Sequence, residues 1–193
     1  MREKSTATVD ILRQLPSPLF TSADASKLVS NDNVFLFRAS RKGYVKRIAN
    51  RVYWNVLFSS VPPTVEQVSC FARQPSYISC EWALNYHGIL LQAPTVCTAI
   101  TLHPGIGKRN RITYGGYVIE YSRISEKLYL SEEVLRVDDV LMATPEKALL
   151  DTAYLRRQLP FADELETDVL DRAKLMRIAA LYPLRVRTVV KDL

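Results

Sequence analysis

The chain has 193 residues, 48% of them hydrophobic and 24% charged, with a formal net charge of +6 at pH 7. That balance describes a globular protein with a real core and excludes an intrinsically disordered chain. No run approaches the roughly 18 consecutive apolar residues of a bilayer span, MREKSTATVD lacks the apolar stretch of a secretory signal, and Cys70, Cys80 and Cys97 form no CxxC pair, so a reduced, cytoplasmic protein is expected.

Residues 6–15, TATVDILRQL, place Val9, Leu12 and Leu15 at helical spacing, with Ile11 widening the stripe. Pro16 and Pro18 end this helix. Thr21 and Asp24 then have the spacing of a capping box, which starts a second, short helix with Ala25, Leu28 and Val29 on its apolar face. The turn cluster Ser30 to Asn33 predicts a third helix beginning near Asn31 or Asp32. In this reading Val34 and Phe37 face inward, Phe35 and Leu36 are partly covered, and Asn33, Arg38, Ser40 and Arg41 stay outside. Gly43, able to take positive φ, closes the helix. Two strands follow at about 44–49 and 52–57, joined by an Asn50-Arg51 turn in which Asn supplies the left-handed conformation.

The stretch RASRKGYVKRIANRVYWNV, residues 38–56, carries Arg38, Arg41, Lys42, Lys46, Arg47 and Arg51 without one carboxylate. Residues 1–65 hold ten Lys/Arg against four Asp/Glu, which is the whole +6 of the chain, and residues 66–193 carry sixteen of each sign. A basic module joined to a neutral one points to a polyanionic partner. Three short helices and a basic hairpin, in that order, describe a winged helix-turn-helix that binds double-stranded DNA. Asn33, Arg38, Ser40, Arg41 and Lys42 sit on or beside the helix suited to a major groove. Lys46, Arg47, Asn50 and Arg51 sit on the wing, where cations meet phosphates whatever the base sequence. The plainer alternative is a small basic lobe used for packing.

Pro62 and Pro63, in SSVPPT, interrupt the pattern and mark a domain boundary, giving domains at 1–61 and 65–193. The second domain reads as mixed α/β, which makes the whole chain α+β. It has a helix over 65–73 and another after Ser79, its expected cap, closed by Gly88. Strands are expected at 96–102 and 114–124, joined by the loop HPGIGKRNRIT, with a less regular strand in 132–142. Thr144, Pro145 and Glu146 form a strong helix start, and further helices are expected at 164–181 and 185–192. The acidic stretch 162–171 reads as a solvated helix face or connection.

Catalytic chemistry finds little purchase. His87 lies at a helix end, where a hydrogen-bond donor suits the free carbonyls. His103 has no Cys, His or Asp neighbour at metal-ligand spacing. The GIGKR loop lacks a phosphate cradle's first Gly and final Ser or Thr, having Leu102 and Arg109 there. No catalytic residue, metal or cofactor is therefore expected. Lys108, Arg109 and Arg111 form a second basic cluster, solvated or in contact with nucleic acid or a partner.

Two stretches carry more than generic pattern. YISCEWALNYHGILLQAPTVCTAIT (77–101), through Tyr77, Ser79, Ala83, Leu84, His87 and Gly88, resembles a signature segment of the AbiEi family, the antitoxins of type IV toxin–antitoxin systems. ATPEKALLDTAYL (143–155), through Pro145, Glu146, Lys147, Ala148, Leu149 and Asp151, resembles a second. The resemblance implies a winged-helix repressor that binds inverted repeats in its own promoter. It also implies a C-terminal antitoxin domain that counteracts a nucleotidyltransferase-type toxin, with or without a stable complex. Lys108, Arg109, Arg111, Glu146 and Lys147 are the candidates for an antitoxin surface, although Pro145, Glu146 and Lys147 also make sense as helix capping and packing. The competing reading is a stand-alone transcription regulator whose second domain senses a ligand or dimerises. An enzyme acting on nucleic acid ranks third.

Overall fold

The computed structural model describes residues 3–104, 110–160 and 162–191. The chain forms two compact units, Met1–Thr64 and Val65–Leu193. The architecture is α+β, with eight α-helices among the described residues, a three-stranded sheet and a six-stranded mixed sheet. No helix among those residues is long and apolar enough to cross a membrane.

In the first unit, α1 (Glu3–Gln14), α2 (Ser22–Ser26) and α3 (Asp32–Arg41) are followed by the hairpin of β2 (Lys46–Ala49) and β3 (Val52–Trp54). A further strand, β1 (Leu19–Thr21), was not legible in the sequence. It pairs antiparallel with β3, which gives the order β1-β3-β2. Three residues are too few to display a period, so only their pairing makes them a strand. Thr21 does cap α2 reciprocally with Asp24, as its spacing requires. The helix stops at Ser26, however, so Leu28 lies beyond its end and is 39% exposed. The hairpin strands are also shorter than expected, because Asn55 leaves the ladder. Its backbone N–H donates to Pro18 O, and its buried side chain donates to Leu12 O. The core comprises Leu12, Leu15, Phe20, Ala25, Leu36, Ala39 and Val45, with Phe35, Tyr44 and Tyr53 packed against it.

In the second unit, α4 (Val65–Ala72) leads into β4 (Ser76–Ser79), α5 (Cys80–Tyr86) and β5 (Val96–Thr101). Next come β6 (Arg111–Tyr114), β7 (Tyr117–Arg123), β8 (Val134–Val137), β9 (Val140–Ala143), α6 (Pro145–Arg156), α7 (Arg172–Ala179) and α8 (Leu184–Lys191). The sheet order is β6-β7-β5-β4-β9-β8. Strands β4 and β9, and β5 and β7, run parallel, while the remaining neighbours are antiparallel.

Several expectations for this unit are corrected. Strand β4 was missed because all four of its residues are buried, leaving no polar–apolar alternation to read. The 114–124 segment is not one strand joined to β5 by a hairpin loop. Gly115 and Gly116 both take positive φ and form the tight turn between β6 and β7. Likewise 132–142 holds most of a two-stranded hairpin, β8 and β9, turning at Asp138, which has φ +52°. The helix expected at 164–181 begins only at Arg172, capped by the Asp171 side chain, and short 3₁₀ turns precede it.

Candidate nucleic-acid interface

Helix α3 starts where Asn31 Oδ1 accepts the backbone N–H of Val34 at 3.1 Å. Leu36 and Ala39 are its buried residues, and half-buried Phe35 widens that stripe. The opposite face presents Asn33, Val34, Phe37, Arg38, Ser40 and Arg41 to solvent. Val34 is 41% and Phe37 63% exposed, which reverses the inward orientation expected for them. Positions 34 and 37 share the three-residue spacing of 36 and 39, so helical periodicity alone fits both registers. The partners that select one, Leu12, Phe20 and Val45, are contributed by other elements. The Arg41 guanidinium lies over the Phe37 ring, 6.0 Å from its centroid.

Gly43, at φ +72°, ends α3 and turns the chain toward the hairpin. There Lys46 pairs with Trp54 and Arg47 with Tyr53, after which the register slips so that Ala49 faces Val52. This irregularity accounts for the broken alternation of the sequence. At the tip it is Arg51, not Asn50, that takes the left-handed conformation, with φ +61°. Asn50 instead accepts from Arg47 Nη2 through its Oδ1, while Arg47 Nε donates to Ala49 O, each at 3.3 Å. Tyr53 stacks on Phe20 at 5.6 Å and fixes the hairpin to the core.

The interface candidates Asn33, Arg38, Ser40, Arg41, Lys42, Lys46, Arg47, Asn50 and Arg51 are all exposed. They lie on α3, on the turn after it, and on the hairpin that follows. No described carboxylate forms an ion pair with any of these cations. Asp24, a nearby acid in sequence, is engaged by Thr21 and Lys27. Apart from half-buried Asp32 in the first turn of α3, no acid lies on α3 or its hairpin, so the positive field of this surface is largely uncancelled and a polyanion can supply the counter-charge.

The second unit treats its candidate surface differently. Lys108 and Arg109 lie outside the described residues. Arg111, on β6, pairs with Glu120 directly across the ladder on β7, its Nε 2.8 Å from Glu120 Oε2. Glu146 and Lys147 are not surface residues at all: they are 4% and 0% exposed. Every residue from Glu146 to Ala153 is buried, so α6 has no outer face over that span. Glu146 accepts the Asp171 backbone N–H and pairs with Lys174, which also pairs with Glu133.

Lys147 Nζ donates to Asp151 Oδ1, to Tyr77 Oη at 2.8 Å and to Tyr182 Oη at 2.9 Å. Asp151 accepts in addition from Ser79 Oγ at 2.8 Å and from both tyrosine hydroxyls. Ser79 thus spends its hydroxyl on Asp151 and makes no side-chain cap for α5. Burial, reinforced by the Asp151 charge, pushes both tyrosines far above their ordinary pKa, so they remain protonated donors. Tyr77, Ser79, Lys147 and Asp151 come from the two stretches that carry the family resemblance, and the fold makes them one cluster. Only the Lys147/Asp151 spacing of four residues, helix neighbours, hinted at it.

The reactive residue types are also committed to structure. His87 Nε2 hydrogen-bonds Ala143 O at 2.8 Å, and His103 Nε2 bonds Gln74 O at 2.9 Å. All three cysteines are buried. Burial raises the Cys70 thiol to about 11 and the Cys97 thiol to about 12, and it holds Cys80 well above its ordinary value. Among the described residues, no group of three or more His, Cys, Asp or Glu is arranged to hold a metal ion.

No family model and no curated protein matches the chain. Among solved structures, three chains match. One is the crystal structure of the RV2827C protein from Mycobacterium tuberculosis, with a TM-score of 0.62 at 12% identity, covering 94% of this chain and 72% of that one. At that identity the likeness is one of fold: nearly the whole chain is built on the same architecture as RV2827C.

Proposed function

We propose that the protein is a DNA-binding antitoxin of the AbiEi type. In this reading it represses its own operon through a winged helix in the first unit and counteracts a nucleotidyltransferase-type toxin through the second. The observation that carries the DNA-binding half is the exposed cationic surface of α3 and its hairpin, whose cations pair with no described carboxylate. Helix α3 is the recognition helix, held at its back by Leu36 and Ala39 so that its outer face enters a major groove. The hairpin is the wing. Lys46, Arg47 and Arg51 neutralise phosphates and release counterions, and Arg47 also braces the tip through its bonds to Ala49 and Asn50. Binding at inverted repeats in its own promoter is what the family resemblance implies.

The antitoxin half rests on the resemblance. Four of the residues that carry it, Tyr77, Ser79, Lys147 and Asp151, have a structural role, tying β4 to α6 and to Tyr182. The function proposed is one of binding, with no reaction assigned to the chain.

The test is a gel shift of the full chain against duplex from its own promoter across a salt series. Because Arg47 also holds the turn, the Lys46→Ala/Arg51→Ala pair is the cleaner probe. It is expected to weaken binding to all sequences and to flatten the slope of log K against log salt by roughly 0.9 per lost phosphate contact. The same variant, expressed from a foreign promoter, is expected still to rescue cells carrying the toxin. Full-length protein that shifts no duplex at low salt would overturn the DNA reading. Rescue lost together with repression would overturn the separation of the two activities.

A further inference from the structure

The outer face of α3 contains two side chains that a purely phosphate-binding surface has no use for. Val34 and Phe37 are 41% and 63% exposed, and with Arg41 they follow the i, i+3, i+7 stripe diametrically opposite buried Leu36 and Ala39. Single exposed apolar residues are ordinary on protein surfaces. An adjacent pair at the centre of a helix face is a different matter when cations surround it and no acid lies between Asp32 and Glu66. That charge argues against another cationic copy of the same surface as the occupant and favours a polyanion. Resting on the DNA-binding reading above, we infer that Val34 and Phe37 are specificity-determining residues that read the 5-methyl groups of thymines in the major groove.

The chemistry follows from what each base displays there. Adenine, guanine and cytosine present only hydrogen-bond donors and acceptors, whereas thymine adds an apolar methyl group. Phe and small aliphatic side chains match that methyl and offer nothing to the other edges. A polar edge opposite Phe37 would be desolvated without a partner, which disfavours the wrong base. Arg41, stacked over the Phe37 ring, restricts where that ring can lie and carries its own donors toward the neighbouring base or phosphate. Arg38 and Asn33, on the flanks of the stripe, supply polar contacts on either side.

The experiment uses the full chain and replaces thymine by deoxyuridine, which deletes the methyl and leaves Watson–Crick pairing intact. Duplexes are first selected from a random pool with wild-type protein. Each thymine of one selected duplex is then changed singly to deoxyuridine. Wild type is expected to bind about fourfold more weakly at one or two positions per half-site, the value of one buried methyl group. Phe37→Ala and Val34→Ala are expected to fold normally, because both side chains are exposed, and to keep the wild-type salt slope. At the positions each residue reads, its variant is expected to bind the thymine and deoxyuridine duplexes equally. Wild-type binding that ignores the methyl at every position overturns this inference and leaves the DNA-binding reading intact. So does a methyl dependence that both variants retain. A Phe37→Ala protein that sediments at a lower mass and shows no methyl dependence assigns the face to a second copy instead, and overturns it too. Failure to select any duplex overturns the DNA-binding reading, and this inference with it.

Discussion

Replacing Lys147 by Met keeps most of the side-chain volume and deletes the charge, which isolates what the buried cluster does. A lysine in the first turn of an exposed helix would be worth less than about 0.5 kcal/mol. Here Nζ is fully buried and donates to Asp151, Tyr77 and Tyr182. Its removal leaves the Asp151 carboxylate in the interior with three hydroxyl donors, from Ser79, Tyr77 and Tyr182, and no counter-charge. Breaking a buried ion pair from one side costs about 3–5 kcal/mol. The Lys147→Met/Asp151→Leu double variant removes both charges, so its cost is expected to fall well below the sum of the singles. The assay exploits the two tryptophans, one in each unit: in a Trp54→Phe background, Trp82 alone reports unfolding of the second unit. At a urea m-value of about 2 kcal/mol/M, the single change lowers the midpoint by roughly 1.5–2.5 M. A shift under about 0.5 M at unchanged m, or a double variant whose cost equals the sum of the singles, would refute the reasoning.

Asp24 gives the first unit a pH dependence with a defined sign. Burial alone raises its pKa, but hydrogen bonds from Thr21 and Lys27 outweigh burial and leave it below the ordinary value. Its contribution is therefore complete above the unfolded value of about 4 and fades as pH falls through the lower folded value. Urea midpoints followed by Trp54 in a Trp82→Phe background are expected to drop over that acid range in the parent protein and less so in Asp24→Asn. Thr21→Ala removes the other half of the box and is expected to cost about 1 kcal/mol by the same assay at pH 7. Cys70, Cys80 and Cys97 are expected to resist a disulfide reagent at pH 8 in the folded protein, and all three to react at once in denaturant; prompt reaction of one thiol without denaturant would contradict their burial.

Features fixed within a few residues were readable from the chain. The Thr21/Asp24 box, the Asn31 and Thr144 caps, and the closures at Gly43 and Gly88 each need only neighbouring backbone and one side chain, so their spacing specifies them. The concentration of positive charge in the first third is likewise a property of sequence alone. What the sequence left open were choices between equivalent local solutions. Val34/Phe37 and Leu36/Ala39 offer the same helical period, and packing against Leu12, Phe20 and Val45 decided which pair is buried. Strands β1 and β4 have no readable period, one because it is three residues long and the other because it is buried throughout. Lys147 looked like a surface cation because charged residues seldom lose all contact with water. Asp151 lies one turn on, but Tyr77, Ser79 and Tyr182 come from distant parts of the chain, and only their convergence supplies enough partners to hold that charge in the interior.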